Sequence, residues 1–431
     1  MGVFFFGFCY GSLSQLITWR FLMRRLTYWL TVTLIFIIPW EDSISVVALG
    51  SLARVMGLVV AAFWGVTMLI EGRFRKPHFF HVLVLFFFLW NFVSMFWSTD
   101  TVSTMQRIKT YSQIFLLMLI FWEMFQKPNE LMGGLQAYVL GTYVLILSTI
   151  FNYINGNVAV AYEGRYSATG VNAVDLALIL MLGLPVAMQL FFLAGSGVKG
   201  IVLKLLNLAY IPLAVYSIIL TGSRTSLIAV MPFVIYLIGT RQIKFDRKIF
   251  IFGVLVFSML ALLPFIPQSV TDRLSTLGAS IESSDIGGRV ELWLQAILVF
   301  SRHPFVGLGS GTMDSSIGSA AHNTFISVAA ETGFVGFMLF LAILAVVFFQ
   351  ATKIQGGNSG LWVAIFLTWV IGVCSLSWEF RKLTWIFLNF IIIEGSFTYE
   401  KLLPGEIKER FPRNMARFVN IKKTGINTGV G

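Results

Sequence analysis

The chain has 431 residues, 57% of them hydrophobic and 12% charged, with a mean hydropathy of +0.83. Those values exclude a soluble globular protein and indicate a polytopic membrane protein, because a water-exposed surface does not tolerate so much apolar area. A formal net charge of +11 would suit nucleic acid if the basic residues gathered on one soluble face, but they are spread through short loops, so no nucleic acid is expected.

Apolar runs long enough to cross a bilayer lie near 27–42, 45–70, 79–97, 107–125, 131–153, 172–193, 203–221, 225–240, 249–266, 322–349, 360–377 and 383–398. The expected fold is therefore all-α: an integral membrane protein of about 12 transmembrane helices with one large loop outside the cytoplasm that contains short helices. Its parts are an arm at 1–26, nine helices within 27–266, the loop at 267–321, three helices within 322–398 and a basic tail at 399–431. An even number of spans puts both termini on one side. With those termini inside, the cytoplasm receives 21 of the 31 Lys and Arg: three in the arm, three at 73–76, one at 127, two at 199–204, four at 241–248, one at 353 and seven after Tyr399. The positive-inside rule then places the long loop outside.

In the arm, Arg20, Arg24 and Arg25 are expected to face lipid headgroups from a short amphipathic helix. Residues 1–10 show no basic region ahead of their apolar run and no cleavage site follows, so no cleavable signal is expected. Cys9 and Cys374 stand far apart in apolar stretches and imply neither a disulfide framework nor a metal cluster. The interval 152–172, with Glu163, Arg165, Gly164 and Gly170, reads as a connector between two helices. The break Thr221-Gly222-Ser223-Arg224 sets an arginine at a tight turn, where it either snorkels to the interface or holds an anion beside a helix start.

The long loop is the richest stretch. Asp285 is placed to cap a helix beginning near Gly287 or Gly288, with Val290, Trp293, Leu294 and Ile297 at helical spacing. Arg289 falls in its first turn, where a cation gains nothing from the helix dipole unless an anion is bound there. His303-Pro304 ends that helix, and Gly307, Gly309 and Gly311 allow a sharp turn, read first as a plain turn and alternatively as an anion nest of exposed N–H groups. His322 opens the next membrane helix, and its ordinary pKa near 6.5 suits a proton acceptor. Glu331 lies nine residues deeper, facing the bundle interior, with Arg54 as its expected partner.

Taken in order, Leu220-Thr221-Gly222-Ser223-Arg224, Gly288-Arg289 with Trp293, His303-Pro304-Phe305-Val306-Gly307-Leu308-Gly309, His322-Asn323-Thr324-Phe325 and Ala330-Glu331-Thr332-Gly333 resemble the O-antigen ligase and polymerase superfamily of bacterial membrane glycosyltransferases. The resemblance covers roughly residues 205–345 and implies an enzyme of the inner membrane that acts on its periplasmic face. The donor it implies is a glycan on undecaprenyl diphosphate; the acceptor is lipid A–core in ligases and another lipid-linked glycan in polymerases. Arg224 and Arg289 are the expected diphosphate ligands, by fork-shaped hydrogen bonds. His322 is the expected general base, with Arg165, His303 and Glu331 in support. The long loop carries no carboxylate pair or Asp-rich motif, so a metal-independent, inverting transfer with no cofactor is expected. A transporter or flippase for lipid-linked glycans is the alternative; it would show internal repeats, and the sequence has none. A scaffold subunit, the third reading, gives no reason for Arg224, Arg289 and His322 to gather on one face.

Overall fold

A computed structural model describes residues 3–46, 50–159, 164–240, 244–275, 289–355 and 358–402. The described residues of the apolar runs lie mostly on helix. In chain order these are α1 (Val3–Ile37), α2 (Leu52–Glu71), α3 (Phe79–Val93), α4 (Thr101–Met124), α5 (Pro128–Ile154), α6 (Ala173–Leu193) and α7 (Val198–Leu220). There follow α8 (Arg224–Ala229), α9 (Met231–Gly239), α10 (Phe245–Leu262), α11 (Gln268–Ser275), α12 (Arg289–Arg302), α13 (Met313–Ile317), α14 (Thr324–Lys353), α15 (Ser359–Val373) and α16 (Lys382–Leu402).

The expectation of twelve spans is met only in part. Among the described residues, seven helices are long and apolar enough to cross a membrane: Thr18–Ser43, Leu52–Glu71, Phe79–Phe96, Pro128–Ile154, Ala173–Leu193, Val198–Leu220 and Thr324–Lys353. The remaining runs fall short for local reasons. α4 carries Gln106, Arg107 and Lys109 in its first half. The run 225–240 divides into α8 and α9 around Val230, where Pro232 removes an N–H that a continuous helix would need. The run 45–70 does supply a span, Leu52–Glu71, but that helix starts late. Ser45–Val46 and Gly50–Ser51 pair as a short antiparallel hairpin, Gly50 takes a φ of +86°, and the Ser51 hydroxyl caps α2 by accepting the Arg54 N–H.

The arm also differs from expectation. Helix α1 runs without interruption from Val3 to Ile37, so the arm and the first span are one element. Arg24 does not reach for headgroups: its Nη1 grips both oxygens of Glu71, at 3.1 and 3.0 Å, and its Nη2 donates to the Glu123 carbonyl. A half-buried guanidinium gains more from a fixed carboxylate than from hydrated phosphate.

Helix α6 is the axis of the bundle. Its residues from Ala173 to Met188 are buried on every side, which is why the sequence shows no polar stripe there. It packs against α5, α7 and α15, and its first turn lies at the end of the bundle shared by the starts of α8, α14 and α16. Arg165, Arg224 and His322, three of the expected site residues, lie at that end.

Candidate active site

The loop between α12 and α14 is held into the bundle by an exchange of backbone hydrogen bonds. Gly333 interrupts α14 with φ +66° and ψ −169°. The break frees carbonyls one turn before it and amides just after it, and the loop takes both sets. Leu308 and Gly309 donate their N–H groups to the carbonyls of Ala330 and Glu331, at 3.1 and 2.9 Å. Phe334 and Val335 in turn donate to the carbonyls of Pro304 and Phe305, at 2.7 and 3.4 Å. An interrupted helix at membrane depth is tolerated only where the freed groups are satisfied within the protein, and this segment satisfies them.

Gly307, Gly309 and Gly311 thus form the plain turn expected of them, not an open anion nest. The Gly307 N–H donates to the His303 carbonyl, and the Ser310 N–H to the Ser94 hydroxyl. The N–H groups of Gly311 and Met313 donate to the two carboxylate oxygens of Glu331, at 2.8 and 3.3 Å. The turn does embrace an anion, and that anion is the protein's own carboxylate. Glycine is required because the approach is so close: a Cβ on Gly307 would lie 2.4 Å from the Glu331 carbonyl, and one on Gly333 would lie 2.3 Å from the Phe305 oxygen.

Glu331 is 2% exposed, and its charged neighbour is Arg107 at 3.9 Å, rather than the expected Arg54, which lies on α2. Arg107 also binds Glu379 at 2.9 Å, lies over the Phe380 ring at 3.8 Å, and so joins α4 to α14 and to the segment before α16. Ser327 donates to the same Glu379 oxygen at 3.1 Å. Glu331 and this cluster therefore fix the loop to the bundle.

His322 stands just above that anchor. Its φ is +48°, a left-handed conformation that a non-glycine residue adopts only when its surroundings impose it. Both flanks do so. The Trp293 indole N–H donates to the Ala321 carbonyl at 3.0 Å, and the Asn323 side chain caps α14 by accepting the Phe325 and Ile326 N–H groups. The result holds a half-buried imidazole at the mouth of α14. Burial pulls its pKa below the ordinary 6.5, and the positive charge of Arg289 pulls it further, while Asp175 and Asp314 oppose the shift. His322 is therefore neutral at pH 7 and able to accept a proton.

Of the expected site residues, Arg289 and His322 are brought within electrostatic range of each other although they lie on different elements. Arg289 is the first residue of α12. Arg224 is the first residue of α8, at the same end of the bundle. Arg165 is buried and donates from its Nε to the Thr221 carbonyl at 2.6 Å, with the Tyr166 N–H bound to the Leu220 carbonyl. The connector thus braces the turn from which Arg224 projects. His303 is exposed and lines a different recess, with Asp100, Arg302 and Ser315. Asp285, expected to cap α12, and Glu163 lie outside the described residues.

Sequence reasoning passed over Arg107, Asp175, Glu379 and Arg381. Each is an ionisable residue at or beside the end of an apolar run, a position that demands a partner, and that was the available signal.

Comparison with known proteins points the same way as the ordered motifs. Residues 209–341 match the family described as O-antigen ligase. Over that segment the chain is similar to the O-antigen ligase and polymerase superfamily, as the ordered motifs implied. The matched segment contains Arg224, Arg289, His303, His322 and Glu331, and leaves Arg165, Asp175 and Glu379 outside it. The chain is also 29% identical over 214 residues to the exopolysaccharide production protein ExoQ of Rhizobium meliloti (strain 1021). That match covers 44% of this chain and spans about half the length of the relative, 48%.

Proposed function

We propose that the protein is a membrane glycosyltransferase that moves a glycan from undecaprenyl diphosphate to an acceptor hydroxyl at the His322 end of the bundle. The observation that carries this reading is that a half-buried His322, held left-handed at the mouth of α14, lies within electrostatic range of Arg289 at the start of α12. One group accepts the acceptor proton while the other neutralises the departing diphosphate. Arg224, braced by Arg165 through the Thr221 carbonyl, supplies a second fork for the same diphosphate.

In the reaction the acceptor oxygen attacks the anomeric carbon opposite to the diphosphate. The new C–O bond forms as the bond to the phosphate oxygen breaks, with inversion. The hydroxyl proton passes to the His322 imidazole, and undecaprenyl diphosphate leaves as an anion held by the two arginines. No step calls for a metal or a cofactor. The site faces the periplasm in this reading, with both termini in the cytoplasm, in keeping with the distribution of Lys and Arg.

The similarity to an exopolysaccharide production protein favours a glycan acceptor, hence chain growth, over ligation to lipid A–core. The test is to incubate purified protein with undecaprenyl-diphosphate-linked glycan, alone and with lipid A–core. Chain lengthening in the absence of lipid A–core is expected. Transfer that requires lipid A–core would establish ligation, and no transfer with either acceptor would overturn the enzyme reading.

A further inference from the structure

Asp175, in the first turn of α6, is a buried carboxylate whose charge acts on His322, and it is clamped on both oxygens. Oδ1 accepts the Trp378 indole N–H at 2.7 Å, and Oδ2 accepts from Arg381 Nη2 at 3.3 Å. Arg381 is itself steadied by Asp42 at 2.7 Å. The clamp is tied to the base through one further residue. The Thr324 hydroxyl, two positions after His322, donates to the Leu376 carbonyl at 2.7 Å and accepts the Trp378 N–H at 2.8 Å. Trp378 therefore binds the start of the His322 helix with its backbone and Asp175 with its indole.

We propose that Asp175 is a positioning residue for His322: its clamped charge orients the imidazole and holds the imidazolium that forms when the acceptor proton arrives. Asp175 neither gives nor takes a proton in this role; the proton stays on His322. The proposal rests on the reading of His322 as the base.

Three charged groups act on His322 from the elements packed around it: Arg289 on α12, Asp314 on α13 and Asp175 on α6. The two carboxylates both favour the protonated ring, but they are not equal in kind. Asp314 is exposed, so water and salt screen it. Asp175 is 9% exposed and keeps its field. Without it, burial and the Arg289 charge would make the imidazolium harder to form.

The direct test is the titration of the His322 ring by NMR in the full chain, labelled at its four histidines and held in nanodiscs, with His322→Gly to assign the signal. Asp175→Asn is expected to weaken the proton affinity of His322 by about three- to tenfold, while Asp175→Glu leaves it near wild type. Asp314→Asn should move it less. Turnover of Asp175→Asn should fall roughly tenfold or more with the donor KM unchanged, a share of what a positioned base contributes. Its activity should also persist to lower pH than in wild type. If Asp175→Asn fails to fold, Arg381→Gln serves instead: it leaves the Asp175 charge uncompensated and is expected to raise the His322 midpoint. A midpoint unmoved in whichever variant folds overturns the proposal, and so does lost turnover with an unmoved midpoint, which would make Asp175 a packing residue. Should His322→Gly keep its turnover, the base assignment itself falls, whatever the midpoints show.

Discussion

The Gly311 N–H donates to the Glu331 carboxylate at 2.8 Å, so an amide of the long loop is bound to an acid buried in a helix that crosses the membrane. This bond, its companion from Met313 and the Arg107 contact make Glu331 the point where the long loop, with Arg289, is locked to the helix that His322 precedes.

Glu331→Ala should therefore act through stability and geometry rather than chemistry. It leaves two buried N–H groups without acceptors and Arg107 with one carboxylate instead of two. Each orphaned group costs about 1–3 kcal/mol, so a loss of about 3 kcal/mol is expected, seen as a lower thermal midpoint in detergent. A Glu331→Gln protein keeps an acceptor oxygen for these amides and should lose less. Equal loss in both variants would show that charge, not hydrogen bonding, dominates the anchor.

The glycines separate by role. Gly307→Ala and Gly333→Ala each put a Cβ against backbone at 2.3–2.4 Å from a positive φ, and each should cost more than about 1 kcal/mol and expose the loop to protease. Gly65, within α2, has open space where its Cβ would go. Gly65→Ala should be neutral or stabilising by up to about 1 kcal/mol. Equal protease sensitivity across the three variants would contradict the backbone exchange at Gly333.

His322→Gly separates folding from chemistry. Glycine adopts a φ of +48° without strain, so the variant should match or exceed wild type in thermal stability while losing transfer. In the wild type, activity should fall as acid protonates the base. Stability carries the same sign: the pKa of His322 is lower folded than unfolded, so its contribution is complete above about 6.5 and declines as the pH drops through that value toward the folded one. A pH–rate profile flat from 7 to 5 would remove His322 from the proton transfer.

The arginines should resist conservative exchange. Arg224→Lys and Arg289→Lys keep the charge but lose the fork, so donor affinity should drop in both. Arg289→Gln has a second consequence: it removes a positive neighbour from His322, and the acidic limb of activity should move to higher pH. Donor binding unchanged in Arg224→Ala and Arg289→Ala alike would end their assignment to the diphosphate.

The local chemistry of the sequence determined the class of the protein, the sites of its helices, the Asn323 cap and the mouth of α14 at which His322 stands, because hydropathy, capping and glycine act over a few neighbouring residues. It also held the ordered motifs, from Arg224 to Gly333, that carry the family likeness. Only the tertiary structure decided what those residues touch. Asp175 meets Trp378 across 203 positions and Arg107 meets Glu379 across 272, and nothing in the spacing of either residue names its partner. The same is true of the glycine-rich turn. Its sequence suits an open anion site as well as a closed one, and the choice fell to a break at Gly333 that offers the turn a helix's worth of unpaired backbone and a carboxylate in place of a ligand.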